Sequence, residues 1–368
     1  MSPFPLPPHI ASLPAYTPIE PFEVLSARIG RSPEEIIKLD ANENPYGMAP
    51  LARLALAEMD YPHIYPDPES RALRASLAEF SGTPAENLLP GSGADELIDL
   101  IMRVTLAPGE QIINCPPTFG MYAFDADLNA ARVIEIPRRA DFSLDVPAIC
   151  AAVEKHNPRL VFLTSPNNPD GSLIDPQDLA TLLELPALFV LDEAYIEFAD
   201  PSGLGKNLSR ITQVPQRENL IVLRTFSKLA GLAGLRVGYG AFPNWLMPTL
   251  WKAKQPYNVN VAGSLAAIAS LQDTAYLERT VLTLVAEREK LMQALRSIPW
   301  LQPYPSHSNF ILCRVSGRDA AALKAQLADR FGIFIRYFNK PGLKDCIRIS
   351  VGRPEQMQIL IRALREME

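Results

Sequence analysis

The feature that most constrains this chain is a series of short apolar segments, each followed at once by a polar or glycine- and proline-bearing turn. Candidate strands lie at 111–114, 132–136, 160–164, 187–191, 220–224 and 236–241, with amphipathic helical stretches between them at 94–105, 145–155 and 175–183. Such alternation is the signature of an α/β unit built on a mostly parallel sheet. The runs at 160–163 and 188–191 are continuously apolar, as strands buried on both faces are. Ligands in open α/β sheets bind beyond the carboxyl ends of the strands. The residues just after each strand are therefore the ones to read for chemistry.

Around residue 254 the pattern changes. A long helical pattern at 261–297 leads to shorter strands at 309–315, 333–337 and 346–351 and a closing helix at 354–368. We expect an arm, residues 1–45, packing on the small domain or on a partner subunit. A large domain then covers 46–255 and a smaller α+β domain covers 256–368. A length of 368 residues accommodates two or three such units.

The formal net charge of -6 argues against a nucleic-acid surface, which needs clustered Lys and Arg. The proline-rich start has neither the basic region nor the apolar core of a secretory signal, and no apolar stretch is long enough to span a bilayer. Cys115, Cys150, Cys313 and Cys346 are scattered and read as reduced thiols of a cytoplasmic protein. The four histidines lack ligand spacing, so no protein metal site is expected.

Four segments after strands carry chemistry. Asp192 ends an apolar run and needs a partner: a structural cation or helix cap, a metal, or the cationic nitrogen of a cofactor. Tyr195 could reach the same pocket. Lys228, in Arg224-Thr-Phe-Ser-Lys228, falls at a strand's carboxyl end, where a closed site lowers a lysine's pKa and frees its amine to attack a carbonyl. Arg236 supplies a fork suited to phosphate. Gly91-Ser-Gly-Ala-Asp-Glu96 opens a helix whose free N–H groups make an anion site, although such a turn also serves packing. Asn168 lies in Ser165-Pro-Asn-Asn-Pro-Asp-Gly171, a sequence that equally suits a plain turn. Phe119 could stack on a flat ring or pack in the core. Together these residues give a phosphate cradle (Ala94, Asp95, Ser227, Arg236), an acid for a ring nitrogen (Asp192) and a Schiff-base lysine (Lys228). That is the set a pyridoxal-phosphate site requires.

The sequence resembles the fold-type-I pyridoxal-phosphate aminotransferases, and among them the histidinol-phosphate aminotransferase family. The likeness runs through Leu39-Asp-Ala-Asn-Glu-Asn-Pro-Tyr-Gly47, Tyr65-Pro-Asp-Pro68, the Gly91–Glu96 turn, the Asn-Asn-Pro loop, Asp192–Tyr195, Ser227-Lys228 and Cys346-Ile-Arg-Ile-Ser-Val-Gly352. The resemblance implies that pyridoxal 5'-phosphate is carried on Lys228, which also shuttles the proton. Asp192 would keep the ring nitrogen protonated. Tyr195 and Asn168 would bond the phenolic oxygen, and Phe119 would stack on the ring. Gly93 and Thr225 join the cradle. Tyr65 would reach the phosphate from the other subunit of a homodimer. Arg348 would bind the carboxylate of glutamate or 2-oxoglutarate, and Arg336 the phosphate of the larger substrate. Asn44 and, in the arm, Tyr16 are expected at the substrate. Phe119 departs from the family's usual tyrosine, and Asp170 from a common threonine. Competing readings are an aromatic amino acid aminotransferase, a phosphothreonine-type decarboxylase and, in another class, the effector-binding module of a regulator.

Overall fold

The structure, a computed structural model, describes residues 4–13 and 20–367. After a short strand β1 (Ile37–Leu39), seven strands build the larger sheet: β2 (Leu88–Gly91), β3 (Gln111–Asn114), β4 (Arg132–Glu135), β5 (Leu160–Thr164), β6 (Leu188–Asp192), β7 (Leu220–Thr225) and β8 (Gly238–Ala241). Their spatial order is β2-β8-β7-β6-β5-β3-β4. From β7 to β4 all neighbours run parallel, whereas β8 is antiparallel to both β7 and β2. The direction of winding reverses between β3 and β5, which places a ligand crevice at their carboxyl ends.

The physical reason for these strands is clearest in β5. Leu160 and Phe162 pack into the apolar layer beneath helices Ala94–Thr105 and Met121–Leu128, while Val161 and Leu163 pack into the layer on the opposite face. Side chains alternate across a strand, so burial on both faces demands apolar residues throughout. β2 escapes this reading because it contains Pro90, and it lies at the edge of the sheet, where a missing N–H is tolerated.

A second sheet has the order β1-β11-β12-β10-β9, with β9 (Leu301–Pro303), β10 (Phe310–Val315), β11 (Ile333–Tyr337) and β12 (Cys346–Ser350). β1 pairs parallel with β11, Ile37 opposite Ile333. Residues 37–39, expected within the arm, are thus an edge strand of this sheet. One apolar core runs from Val161, Leu191 and Val222 through Ala266 and Leu277 to Phe310 and Ile347, tying the two sheets together.

The long helix expected at 261–297 is two helices, Val261–Gln272 and Thr274–Arg296. Asp273 separates them: its carboxylate accepts the Tyr276 N–H at 3.2 Å and caps the second helix. The closing helix, Pro354–Arg365, is shorter than expected. No helix among the described residues is long and apolar enough to cross a membrane.

Candidate active site

Asp192 is the last residue of β6 and is buried. Its Oδ2 accepts the Tyr122 hydroxyl at 2.6 Å and its Oδ1 accepts the Ala194 N–H at 3.0 Å. Burial pushes the carboxyl up to about 6, although both hydrogen bonds pull it down. Among the described residues no cation forms an ion pair with it. A buried carboxylate in that position is costly, and it suits the protonated nitrogen of a flat heteroaromatic ring.

Lys228 lies in the one-turn helix Phe226–Leu229, started by Thr225, whose Oγ1 accepts the Ser227 N–H at 3.1 Å. The lysine Nζ donates to the Ala41 carbonyl at 2.9 Å. Burial, reinforced by the Arg348 guanidinium, lowers its pKa to about 8. Its amine is therefore available as nucleophile and base near neutral pH.

The phosphate end is built around Gly93, which precedes helix Ala94–Thr105 with φ 81°. A Cβ at Gly93 would lie 2.5 Å from Arg236 Nη2, so only glycine lets the arginine lie against this turn. Arg236 itself has φ 52°, a left-handed conformation uncommon for a side-chain-bearing residue. Its Nη2 donates to Asp95 Oδ2 at 3.1 Å. Gly238, opposite Thr225 in the β7–β8 register, has space for no Cβ because the Ala94 nitrogen would be 2.6 Å away. Thr225 also donates to Ser227 Oγ at 3.0 Å, which leaves the Ser227 proton to give to a ligand. Helix N–H groups, a serine hydroxyl and a guanidinium thus meet at one place. They fit a phosphate monoester.

A strap from residues 40–44 crosses the other side. Arg348 Nη2 donates to the Asp40 carbonyl at 2.8 Å, Lys228 to that of Ala41, and Asn42 Nδ2 donates to Tyr195 Oη at 3.1 Å. Tyr195 keeps its own proton to donate. Asn42 is held by Ser350 and Asn309 and has φ 55°. Asn44 braces the segment that carries the lysine. Its Nδ2 donates to the carbonyls of Leu229 (3.0 Å) and Lys228 (3.3 Å), and its Oδ1 accepts the Tyr46 N–H. The side chain thus holds the lysine's backbone in place.

Asn168 meets the site through Arg348, whose Nη1 donates to its Oδ1 at 2.5 Å. Phe119 is half-buried and stands edge-on to Tyr122, with centroids 5.6 Å apart. Arg336 and Arg348 face each other across β11 and β12. Tyr65 stands apart from all of these: it is 78% exposed and stacks on Tyr257 at 4.7 Å. Tyr16 lies outside the described residues. The residues that the sequence reading missed are Tyr122, Asn42 and the carbonyls of Asp40 and Ala41. The signal for Asn42 and the two carbonyls was the polar run Asp-Ala-Asn-Glu-Asn beside a strand; Tyr122 had none.

The chain matches the family described as aminotransferase class I and II over residues 34–364. It is 58% identical over 359 residues to the chloroplastic histidinol-phosphate aminotransferase of Nicotiana plumbaginifolia, covering 97% of this chain and 85% of that protein. It is 52% identical over 368 residues to the histidinol-phosphate aminotransferase of Roseiflexus castenholzii, covering 98% and 97%. The fold superposes with a TM-score of 0.88 on the histidinol-phosphate aminotransferase of Sinorhizobium meliloti in complex with pyridoxal-5'-phosphate, at 31% identity, covering 99% of this chain and 98% of that one. With these likenesses over nearly its whole length, the chain belongs to the class I and II aminotransferases, within the pyridoxal-phosphate-dependent histidinol-phosphate aminotransferase family.

Proposed function

We infer that the chain transfers an amino group between L-glutamate and imidazole acetol phosphate, yielding 2-oxoglutarate and L-histidinol phosphate in histidine biosynthesis. The observation that carries this reading is the pairing of Arg336 with Arg348 across β11 and β12. Like charges directly opposite in a sheet repel. Burial, with Arg336 adding to it, lowers the Arg348 pKa to about 10. Neither arginine has an ion-pair partner among the described residues, and both lie against the Phe338 ring, at 5.6 and 5.5 Å. An anionic substrate relieves that repulsion. A site that alternates between a dicarboxylate and a phosphate ester needs two such cations: Arg348 for the carboxylate and Arg336 for the phosphate.

Pyridoxal phosphate, when bound, supplies a ring that accepts the electrons left on the substrate α-carbon as its proton departs. Asp192 would hold a proton at the ring nitrogen, Tyr195 and Asn168 would serve the phenolic oxygen, and Phe119 would cover the ring. Ser227, Arg236 and the N–H groups of Ala94 and Asp95 hold the phosphate beside Gly93 and Thr225. Lys228 Nζ would hold the cofactor covalently, and its free amine would serve as the base that takes the substrate α-proton and returns it.

The active unit is a homodimer in which Tyr65 reaches the partner's phosphate cradle. Supporting this, Leu51, Leu54, Tyr61, Ile64 and Tyr65 form an exposed apolar stretch beside Tyr257. Mixing Lys228→Ala with Tyr65→Ala subunits should restore activity that neither has alone; no recovery on subunit exchange would remove the shared site. The cytoplasm is our reading for location, supported by four free cysteines.

The function itself is tested with histidinol phosphate, phenylalanine, tyrosine and phosphothreonine, each with 2-oxoglutarate, while carbon dioxide is monitored. Histidinol phosphate should give the highest kcat/KM without carbon dioxide release. Arg336→Ala should cost it on the order of a hundredfold and phenylalanine far less. Equal losses would remove the phosphate contact, and carbon dioxide from phosphothreonine would favour a decarboxylase.

A further inference from the structure

Behind Asp192 lies a buried hydroxyl chain that leads away from the site. Tyr122 is fully buried on helix Met121–Leu128, stacked on Phe162 with centroids 4.9 Å apart. Its oxygen is 2.6 Å from Asp192 Oδ2 and 2.9 Å from Thr164 Oγ1. Thr118 Oγ1 donates to Asn167 Oδ1 at 2.8 Å and lies 3.3 Å from Thr164. Counting protons fixes the direction. A phenol has one to give, and a buried carboxylate is the better acceptor, so Tyr122 donates to Asp192 and accepts from Thr164. Thr118 spends its own proton on Asn167.

Burial and the adjacent Asp192 hold the Tyr122 phenol well above its usual value, so it remains a donor at every working pH. Phe119 brings no hydroxyl to the ring, and its edge rests on this same tyrosine.

We propose that Tyr122 is a positioning residue for this site: its donated proton keeps the Asp192 carboxylate ionised and aimed, so that the cofactor's ring nitrogen retains its own proton. The proposal rests on the cofactor reading above and deepens it. Asp192 has limited acceptor capacity. With Oδ1 bonded to the Ala194 N–H and Oδ2 to Tyr122, the carboxylate is fixed in plane and its basicity is moderated. Without Tyr122 the carboxylate becomes the stronger base, draws the shared proton toward itself and leaves the ring a poorer electron acceptor. Other titratable groups facing the pair are Tyr195 on the segment after β6, Asp95 at the start of helix Ala94–Thr105 and, toward Tyr122, the buried Arg138. Lys228 and Arg348 face each other nearby.

The test is Tyr122→Phe, which keeps the stack on Phe162 and removes only the hydroxyl. In cofactor-loaded protein, the pH midpoint of the visible absorption that depends on Lys228 should rise by about one unit. Affinity for pyridoxal phosphate, followed by dialysis, should weaken about tenfold. The fall should appear in kcat with KM little changed. In an Asp192→Asn background the same substitution should move the midpoint no further. A midpoint and an affinity both unchanged by Tyr122→Phe, or a full extra shift on top of Asp192→Asn, would overturn the proposal. Thr164→Val, which removes the hydroxyl that orients Tyr122, provides a second route should Tyr122→Phe not fold, and should shift the midpoint in the same direction by less. If wild-type protein shows no Lys228-dependent band, the cofactor reading fails instead, and the two failures are told apart.

Discussion

Asp192 and Glu193 are consecutive acids at the end of β6, and Arg224 and Thr225 are consecutive residues at the end of β7, yet each pair divides between two unlike surroundings. The parity of the strands assigns them. Asp192 shares its face with Val190, in the layer that holds Tyr122, and Thr225 shares its face with Leu223 in that same layer. Arg224 follows Leu220 and Val222 to the opposite face, where its Nη2 meets Glu197 Oε1 at 2.5 Å. Glu193 joins it there, accepting the Arg210 N–H at 2.7 Å and the Ser209 hydroxyl. One face thus presents a carboxylate with no ion-pair partner among the described residues. The other face gives each of its carboxylates a partner within the chain, although Glu197 Oε2 has none. The difference separates a face that does chemistry from one that fastens the strand ends.

The largest expected effect tests the chemical face. Asp192→Asn should lower kcat on the order of a thousandfold while leaving the fold intact. Its effect on the cofactor-free protein has a definite sign. The folded carboxyl, at about 6, lies above its usual 3.8, so the cost of burying its charge appears as pH rises from about 4 to 6. Above pH 6 the asparagine variant should be as stable as wild type or more so, read by thermal melting. A marked loss of stability would mean that Asp192 is a fastening residue after all.

Arg224→Met should do the reverse. It leaves Glu197 and Glu193 buried without their cation, which typically costs about 3–5 kcal/mol. Denaturant unfolding should show that loss, while kcat per folded molecule stays within about threefold. Adding Glu197→Gln should recover part of the stability. If kcat collapsed in the folded fraction, the two faces would not be separable.

Most of this division was legible before the structure, and what was not has a physical cause. Strands at 160–164 and 188–192 could be read directly because burial on both faces leaves a largely apolar run; Asp192 was singled out where the second ends, and Lys228 just beyond the run at 220–225. Tyr122 left no trace, since a tyrosine two residues after a glycine reads as helix packing until a residue seventy positions away is brought against its hydroxyl. The 40–44 strap was hidden for the same reason. It acts largely through backbone carbonyls, which carry no side-chain signature, on residues up to 308 positions distant. Asn44 was recognised as part of the site, but the motif did not reveal that its amide donates to the backbone carbonyls of Lys228 and Leu229.

A smaller effect is expected at Gly93. Gly93→Ala combines a positive φ with a Cβ 2.5 Å from the Arg236 guanidinium, so the arginine must swing out of the cradle. Cofactor affinity should fall about tenfold, measured by reconstitution with pyridoxal phosphate. Melting of the cofactor-free protein should fall only slightly. Loss of the fold without loss of affinity would make the turn a structural one.

Asp125 asks whether a raised carboxyl marks chemistry at all. It lies on the same layer as Asp192, on helix Met121–Leu128, and burial, aided by Asp99 and Asp95, pushes it up to about 7, further than Asp192. Yet its Oδ2 meets no hydrogen-bond partner, and among the described residues no hydrogen bond joins its side chain to a site residue. Because its folded value lies above 3.8, its charge costs stability progressively as pH rises from about 4 to 7. Asp125→Asn should remove that cost, raising stability by ~1–2 kcal/mol at pH 8 and by almost nothing at pH 4, with kcat and KM unchanged within twofold. Melting curves at the two pH values check the sign. A gain at pH 4 equal to that at pH 8 would show that packing, rather than charge, governs this position. A loss of kcat would enlarge the chemical face beyond the strand ends.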